Sequence, residues 1–215
     1  MPPVVSVVGR SNVGKTTFLE KLVAEMKRRG KRIGVIKHTS SSFEMDQPGK
    51  DSWRLRKAGG DAVMVSSPEG MALFRSAGRD STLNEVARVL GNDYDLILVE
   101  GFKTSDAPKI EVHRKAMGSL VFTDRDLVAV VTDECLEMSV PQFNLDDAQG
   151  VADLIEKQFL GKREDEISLW VNGAAVPLTP FVQNFVANTV LGMVKSLKGV
   201  DKVESVDLRV KRGLP

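Results

Sequence analysis

The chain has 215 residues, 42% of them hydrophobic, enough for one ordinary domain with a core and a small appendage. Its 30 Lys+Arg against 29 Asp+Glu leave a net charge of +1, so bulk charge gives no argument for nucleic-acid binding. The single cysteine, Cys135, excludes an intrachain disulfide and a cysteine-built zinc site. No apolar run approaches the ~20 residues of a membrane span, and the N-terminus lacks a signal-peptide pattern. The expectation is a soluble cytoplasmic protein with no membrane partner.

In chain order, Val4 to Val8 is a short, β-branched, wholly apolar run and reads as a buried strand. After Gly14, Phe18, Leu19, Leu22, Val23 and Met26 recur at helical spacing, and Arg28-Arg29-Gly30 supplies terminal cations and a glycine stop. Ile33 to Ile36 reads as a second strand. Pro48 to Ser52 opens a short helix that Gly59-Gly60 closes. Asp61 to Val65 and Met71 to Phe74 flank a Pro-Glu-Gly turn and read as a hairpin. A helix over Leu83 to Leu90 precedes another buried strand, Asp95 to Val99. Ile110 to His113 alternates like an edge strand, Leu127 to Val131 is again buried, and a helix runs from about Asp146 to Phe159. Strands alternating with helices imply an α/β, doubly wound, mainly parallel sheet over residues 1–160. The composition breaks at 161–166. Beyond it, over 161–215, two strands about Asn172-Gly173, a helix from Pro180 to Leu197 and a last strand from Val203 to Val210 read as a β-β-α-β extension. That helix is expected to bury Phe181, Phe185, Val186, Val190, Val194 and Leu197.

The chemistry is concentrated in Gly9-Arg10-Ser11-Asn12-Val13-Gly14-Lys15-Thr16, which fits G-x-x-x-x-G-K-[ST] between a buried strand and an amphipathic helix. Glycines let backbone amides wrap a phosphate, and the helix starting there turns its positive end to the same charge. Lys15 can reach β- and γ-phosphates, Thr16 can hold Mg²⁺, and Thr17 follows in the first turn. A P-loop needs a second acid. Glu100 ends a buried strand, as a Walker B acid does. Gly9, His38 and Glu100 all fall at carboxyl ends of strands, where open α/β sheets bind ligands, whereas Asp95 falls at the wrong end.

Asp46 stands as a water-mediated metal contact, as a group ordering the attacking water, or as a helix N-cap before Pro48. Lys50, Arg54, Arg56 and Lys57 give that helix a basic side, read first as a solvated face. No Asn-Lys-x-Asp guanine signature occurs. Asp133, after the Leu127 strand, is the candidate for pairing with a guanine edge. His113 and Cys135 read as structural, and no cis arginine finger can be assigned.

GRSNVGKTT, IKHT, DQPGKDSWRLRKAG, and DLILVEGFK with KIEVHR after it together resemble the MobB family of molybdopterin-guanine dinucleotide biosynthesis, over about residues 1 to 160. The resemblance implies a dimeric, GTP-binding P-loop protein with weak GTPase activity. It implies a role beside the MobA-type guanylyltransferase that attaches GMP to molybdopterin. Lys15 and Thr16 then take the phosphate and magnesium roles and Glu100 the acidic role. The family often has histidines where this chain has Ser40-Ser41, and residues beyond about 162 lie outside the family core. Two other readings stay open at this point: a P-loop kinase for a small anionic acceptor, and a non-hydrolytic molybdopterin carrier.

Overall fold

The computed structural model describes residues 1–39, 46–161, 167, 169–171, 174–200, 203, 206, 208 and 210. The chain divides into two compact units, Pro2–Leu160 and Gly161–Pro215 together with Met1.

The first unit begins with β1 (Val4–Val8), α1 (Lys15–Arg28) and β2 (Ile33–Lys37), all at their expected positions. α2 (Asp51–Lys57) and the antiparallel pair β3 (Ala62–Ser67) and β4 (Gly70–Arg75) follow. Then come α3 (Leu83–Leu90), β5 (Leu96–Glu100), β6 (Lys109–Val112), β7 (Leu127–Thr132), β8 (Gln142–Asn144) and α4 (Ala148–Phe159). The main sheet runs β2-β5-β1-β6-β7-β8, with every pairing parallel. Val5, Val7, Leu96, Leu98, Ile110, Val112, Ala129 and Val131 point to one face. They pack against Phe18, Leu22 and Met26 of α1 and Val151, Ala152 and Ile155 of α4. On the opposite face, Leu90 at the end of α3 and Tyr94 lie against Gly34 of β2, where a Cβ would meet Leu90 at 2.7 Å. Helices therefore cover both faces, as an α/β P-loop fold requires.

Two features of the sheet differ from the sequence reading. β6 is not an edge strand. It lies between β1 and β7, and all four of its residues are buried. The alternation that suggested solvent is instead a polar row facing connecting loops. Glu111 accepts from the backbone N–H of Val121 and Phe122, His113 Nε2 lies 2.8 Å from Glu134, and Lys109 Nζ donates to the Ser105 carbonyl. Buried polar side chains persist where each finds such partners. The second difference is β8, three residues too short to carry a readable period, which is paired with β7.

α1 and α4 are joined by charge. Arg29 donates to Glu25 at 2.7 Å, to Asp153 at 2.6 Å and to Glu156 at 2.8 Å. α2 uses its cations locally, with Arg56 over the Phe74 ring and Lys57 over Trp53.

In the second unit, β9 (Leu169–Val171) pairs antiparallel with β10 (Ala174–Val176), followed by α5 (Pro180–Lys195). The Asn172-Gly173 turn lies outside the described residues, as does most of the strand expected over Val203–Val210. The expected buried face of α5 is corrected. Phe181, Phe185 and Leu197 are exposed, Val186, Val190 and Val194 are half-buried, and Ala187 is buried. No helix among the described residues is long and apolar enough to cross a membrane.

Candidate functional site

The loop Gly9–Gly14 joins β1 to α1 at the carboxyl edge of the sheet. The chain leaves β1 toward β2 and leaves β6 toward β7, so the connections part between β1 and β6. Such a divergence opens the crevice where α/β sheets hold ligands. Gly9 is fixed there by space as well as by φ of 136°, because a Cβ would lie 2.3 Å from the Val112 carbonyl oxygen of β6. Asn12 (φ 62°) and Gly14 (φ 101°) also take left-handed conformations that curl the loop, and Asn is among the non-glycine residues that tolerate one best. Val13 is buried under the loop, while Arg10, Ser11, Thr16 and Thr17 are exposed on it and on the first turn of α1.

Lys15 Nζ donates to the Arg10 carbonyl at 2.7 Å, so the ammonium lies across the mouth of the loop. Burial, partly offset by Glu100 and reinforced by Lys103 and Lys37, pushes its pKa below the usual lysine value. Thr16 Oγ1 donates to Glu100 Oε2 at 2.8 Å. The residues chosen from two distant motifs thus meet, because β1 and β5 are parallel neighbours with Val7 opposite Glu100. Hydroxyl and carboxylate oxygen are hard donors, and two protein ligands completed by water and phosphate are what Mg²⁺ ordinarily accepts. The donor set therefore fits Mg²⁺.

Glu100 is held on two sides. Its carbonyl accepts from His38 N–H at 2.9 Å, and Lys37 Nζ lies 3.5 Å from Oε2. After it, Gly101 (φ 106°) and Phe102 (φ 51°) turn the chain sharply, and a Cβ on Gly101 would come within 3.1 Å of His38 Cβ. The His38 ring packs on Phe102, centroids 4.2 Å apart, and its Nε2 lies 3.1 Å from Asp80.

Asp46 and Asp133 have described partners of their own. Asp46 accepts from Ser52 Oγ at 2.8 Å and lies 3.7 Å from Arg56, so its contacts among the described residues go to α2. Asp133 accepts from the Lys115 N–H at 2.8 Å and lies 3.7 Å from Arg114, which in turn donates to the Val13 carbonyl. Arg114 thus bridges the P-loop and Asp133. Arg10 is occupied by Ser119, donating to its carbonyl at 2.9 Å. Cys135 is an exposed free thiol. Ser40, Ser41 and Ser42 lie outside the described residues.

Sequence reasoning missed Lys37, Asp80 and Arg114. The signal for Lys37 was present: it ends the strand that neighbours Glu100. Arg114 ends the KIEVHR stretch, which gave it no role of its own, and Asp80 comes from a segment without a motif, so only folding brings them in.

The family model "Molybdopterin guanine dinucleotide synthesis protein B" (MobB) matches residues 4–133. The chain is 37% identical over 161 residues to the molybdopterin-guanine dinucleotide biosynthesis adapter protein of Escherichia coli, covering 72% of this chain and 92% of the relative. It is 36% identical over 156 residues to the protein of the same name from Haemophilus influenzae, covering 72% and 88%. A putative adapter protein of Methanocaldococcus jannaschii is 28% identical and aligns with 96% of this chain and 97% of its own, so that alignment extends beyond the P-loop unit. Among solved structures, the crystal structure of Bacillus subtilis MobB superposes with a TM-score of 0.60 at 30% identity, covering 74% of this chain and 99% of that one.

Proposed function

The chain belongs to the MobB family, and from that premise we propose that it is a GTP-binding adapter with slow GTPase activity in the formation of molybdopterin guanine dinucleotide. One observation carries the nucleotide part: Lys15, Thr16 and Glu100 converge where the P-loop meets α1. Residues 1–160 are then the nucleotide-binding domain and 161–215 an appended extension.

P-loop amides from Gly9 to Thr16 and the Lys15 ammonium bind the β- and γ-phosphates. Thr16 and Glu100 would hold Mg²⁺, which would supply charge neutralisation at the phosphate oxygens. A water oxygen attacks the γ-phosphorus in line as the bond to the β-γ bridging oxygen breaks. The water's proton ends on inorganic phosphate, and GDP leaves. Arg10 is tied to Ser119 and does not reach forward as an arginine finger, so turnover is slow. Asp133, already oriented by Lys115 N–H, is assigned to the guanine edge. Asp46 is assigned to holding the start of α2, on its contacts to Ser52 and Arg56.

The adapter role beside a MobA-type guanylyltransferase rests on the names of the relatives. A homodimer is part of the reading. The β3–β4 hairpin exposes Met64, Val65, Met71 and Leu73, and a two-stranded hairpin is marginal unless its apolar side is covered.

Calorimetric titration with GTP and ATP, each with and without Mg²⁺, tests the proposal. Mg²⁺-dependent binding of GTP over ATP is expected, with loss of both on Lys15→Ala. Preference for ATP, or unchanged affinity in Lys15→Ala, overturns it.

A further inference from the structure

Lys37 is exposed, yet its ammonium is directed to the most constrained carboxylate of the site. β2 and β5 are parallel with Lys37 directly opposite Glu100, so both side chains leave the sheet on the same face at its carboxyl edge. Lys37 Nζ lies 3.5 Å from Glu100 Oε2, the same oxygen that accepts from Thr16. Glu100 is only 12% exposed and Lys37 61%. A pair so open to water contributes little to stability, so holding the fold together does not account for it.

A second ammonium, that of Lys15, stands at the mouth of the loop. Lys15 is already committed to the P-loop by its bond to the Arg10 carbonyl. Lys37 has a long flexible stem and a point charge with three donors, suited to swing between two acceptors. Mg²⁺ held by Thr16 and Glu100 would compete with Lys37 for Oε2.

We propose that Lys37 is a phosphate-sensing cation that exchanges between Glu100 and the terminal phosphate of a bound nucleoside triphosphate. This rests on the GTP-binding reading above. Thr16 and Glu100 would hold Mg²⁺, and the Lys37 ammonium, leaving Oε2, donates to the γ-phosphate in a charge-assisted hydrogen bond. A diphosphate offers no γ-phosphate, so Lys37 stays with Glu100. Lys37 thereby makes the site selective for the triphosphate. The backbone of the next residue, His38, is bonded to Glu100 and its ring is clamped between Phe102 and Asp80, so the exchange is linked to the Gly101-Phe102 turn.

The test is calorimetry of GTP, a non-hydrolysable GTP analogue and GDP, with and without Mg²⁺, on the full chain and on Lys37→Met and Lys37→Arg. A charge-assisted hydrogen bond corresponds to roughly tenfold in affinity or more. Lys37→Met is expected to weaken GTP and its analogue about tenfold while leaving GDP within about twofold. It should also lower the Mg²⁺ concentration needed for half-maximal binding of GDP, because the competitor at Oε2 is gone. Lys37→Arg should restore most of the triphosphate preference. Equal losses for GTP and GDP, or no change in either, overturn the inference and leave Lys37 an ordinary surface ion pair. Wild-type protein that binds no guanine nucleotide sinks the GTP-binding reading itself, and with it this one. A thermal melt of Lys37→Met matching wild type separates these results from misfolding.

Discussion

β5 and β6 flank the P-loop strand β1, one on each side, and they solve burial in opposite ways. β5 is apolar on both faces from Leu96 to Val99 and presents one acid, Glu100, only where it leaves the sheet. β6 is apolar on one face and carries Lys109, Glu111 and His113 on the other, all buried. The loops that bracket β6 supply Ser105 for Lys109 and Val121 and Phe122 for Glu111, and the connection after β7 supplies Glu134 for His113. β5 therefore works by hydrophobic transfer and carries its charge only at its carboxyl end, while β6 uses buried charge to fasten the loops around it. The Val112 carbonyl at the end of β6 also presses on Gly9, so the polar strand helps shape the phosphate loop.

The sharpest way to break the comparison is Glu111→Ala. It removes the buried acceptor of the Val121 and Phe122 N–H groups, with an expected loss of about 3 kcal/mol in urea unfolding. A loss below about 1 kcal/mol would mean that the 119–123 loop simply relaxes into water. Gly9→Ala comes next. Its Cβ meets the Val112 carbonyl and its φ is left-handed, so about 2 kcal/mol of stability should go together with nucleotide binding. Normal binding in that variant would show that the loop and β6 separate freely. On the β5 side, Glu100→Gln should leave the urea midpoint almost unmoved, since its amide oxygen can still accept from Thr16. The Mg²⁺-dependent part of nucleotide affinity should fall about tenfold. A large stability change instead would make Glu100 structural, like Glu111.

The smallest effect concerns acid. Hydrogen bonds from Arg28 and Arg29 hold the Glu25 carboxyl down to about 2. A carboxyl lowered by folding stabilises the fold above its ordinary value of 4.5, and that contribution is lost as pH falls from there toward about 2. Arg29→Met should flatten the acid limb of the stability profile in that window, because Glu25 and Glu156 lose a shared partner that lowers both. An unchanged limb would place the acid sensitivity of the fold outside the Arg29 cluster.

Much of this was legible in the sequence where a local rule applies. The P-loop motif, the apolar β5 run ending at Glu100 and the helix spacing of α1 each need only neighbours in the chain, and each appears where expected. The 38–57 stretch was legible only in part. His38 does sit beside Glu100, but the described contacts of Asp46 run to Ser52 and Arg56. α5 shows the same limit. Its apolar residues define a helix, but Phe181 and Phe185 are exposed on it.

By itself the sequence determined most of the elements, the parallel α/β order and the glycine-rich loop with a lysine at a helix start, because periodicity and glycine placement act over a few residues. Tertiary structure alone decided that β6 is interior, that Arg114 bridges Val13 and Asp133, and that Lys37, Thr16 and Glu100 share one carboxylate oxygen. Strand order and register bring residues tens of positions apart to the same edge. Whether a polar side chain is buried depends on donors and acceptors that arrive from distant loops.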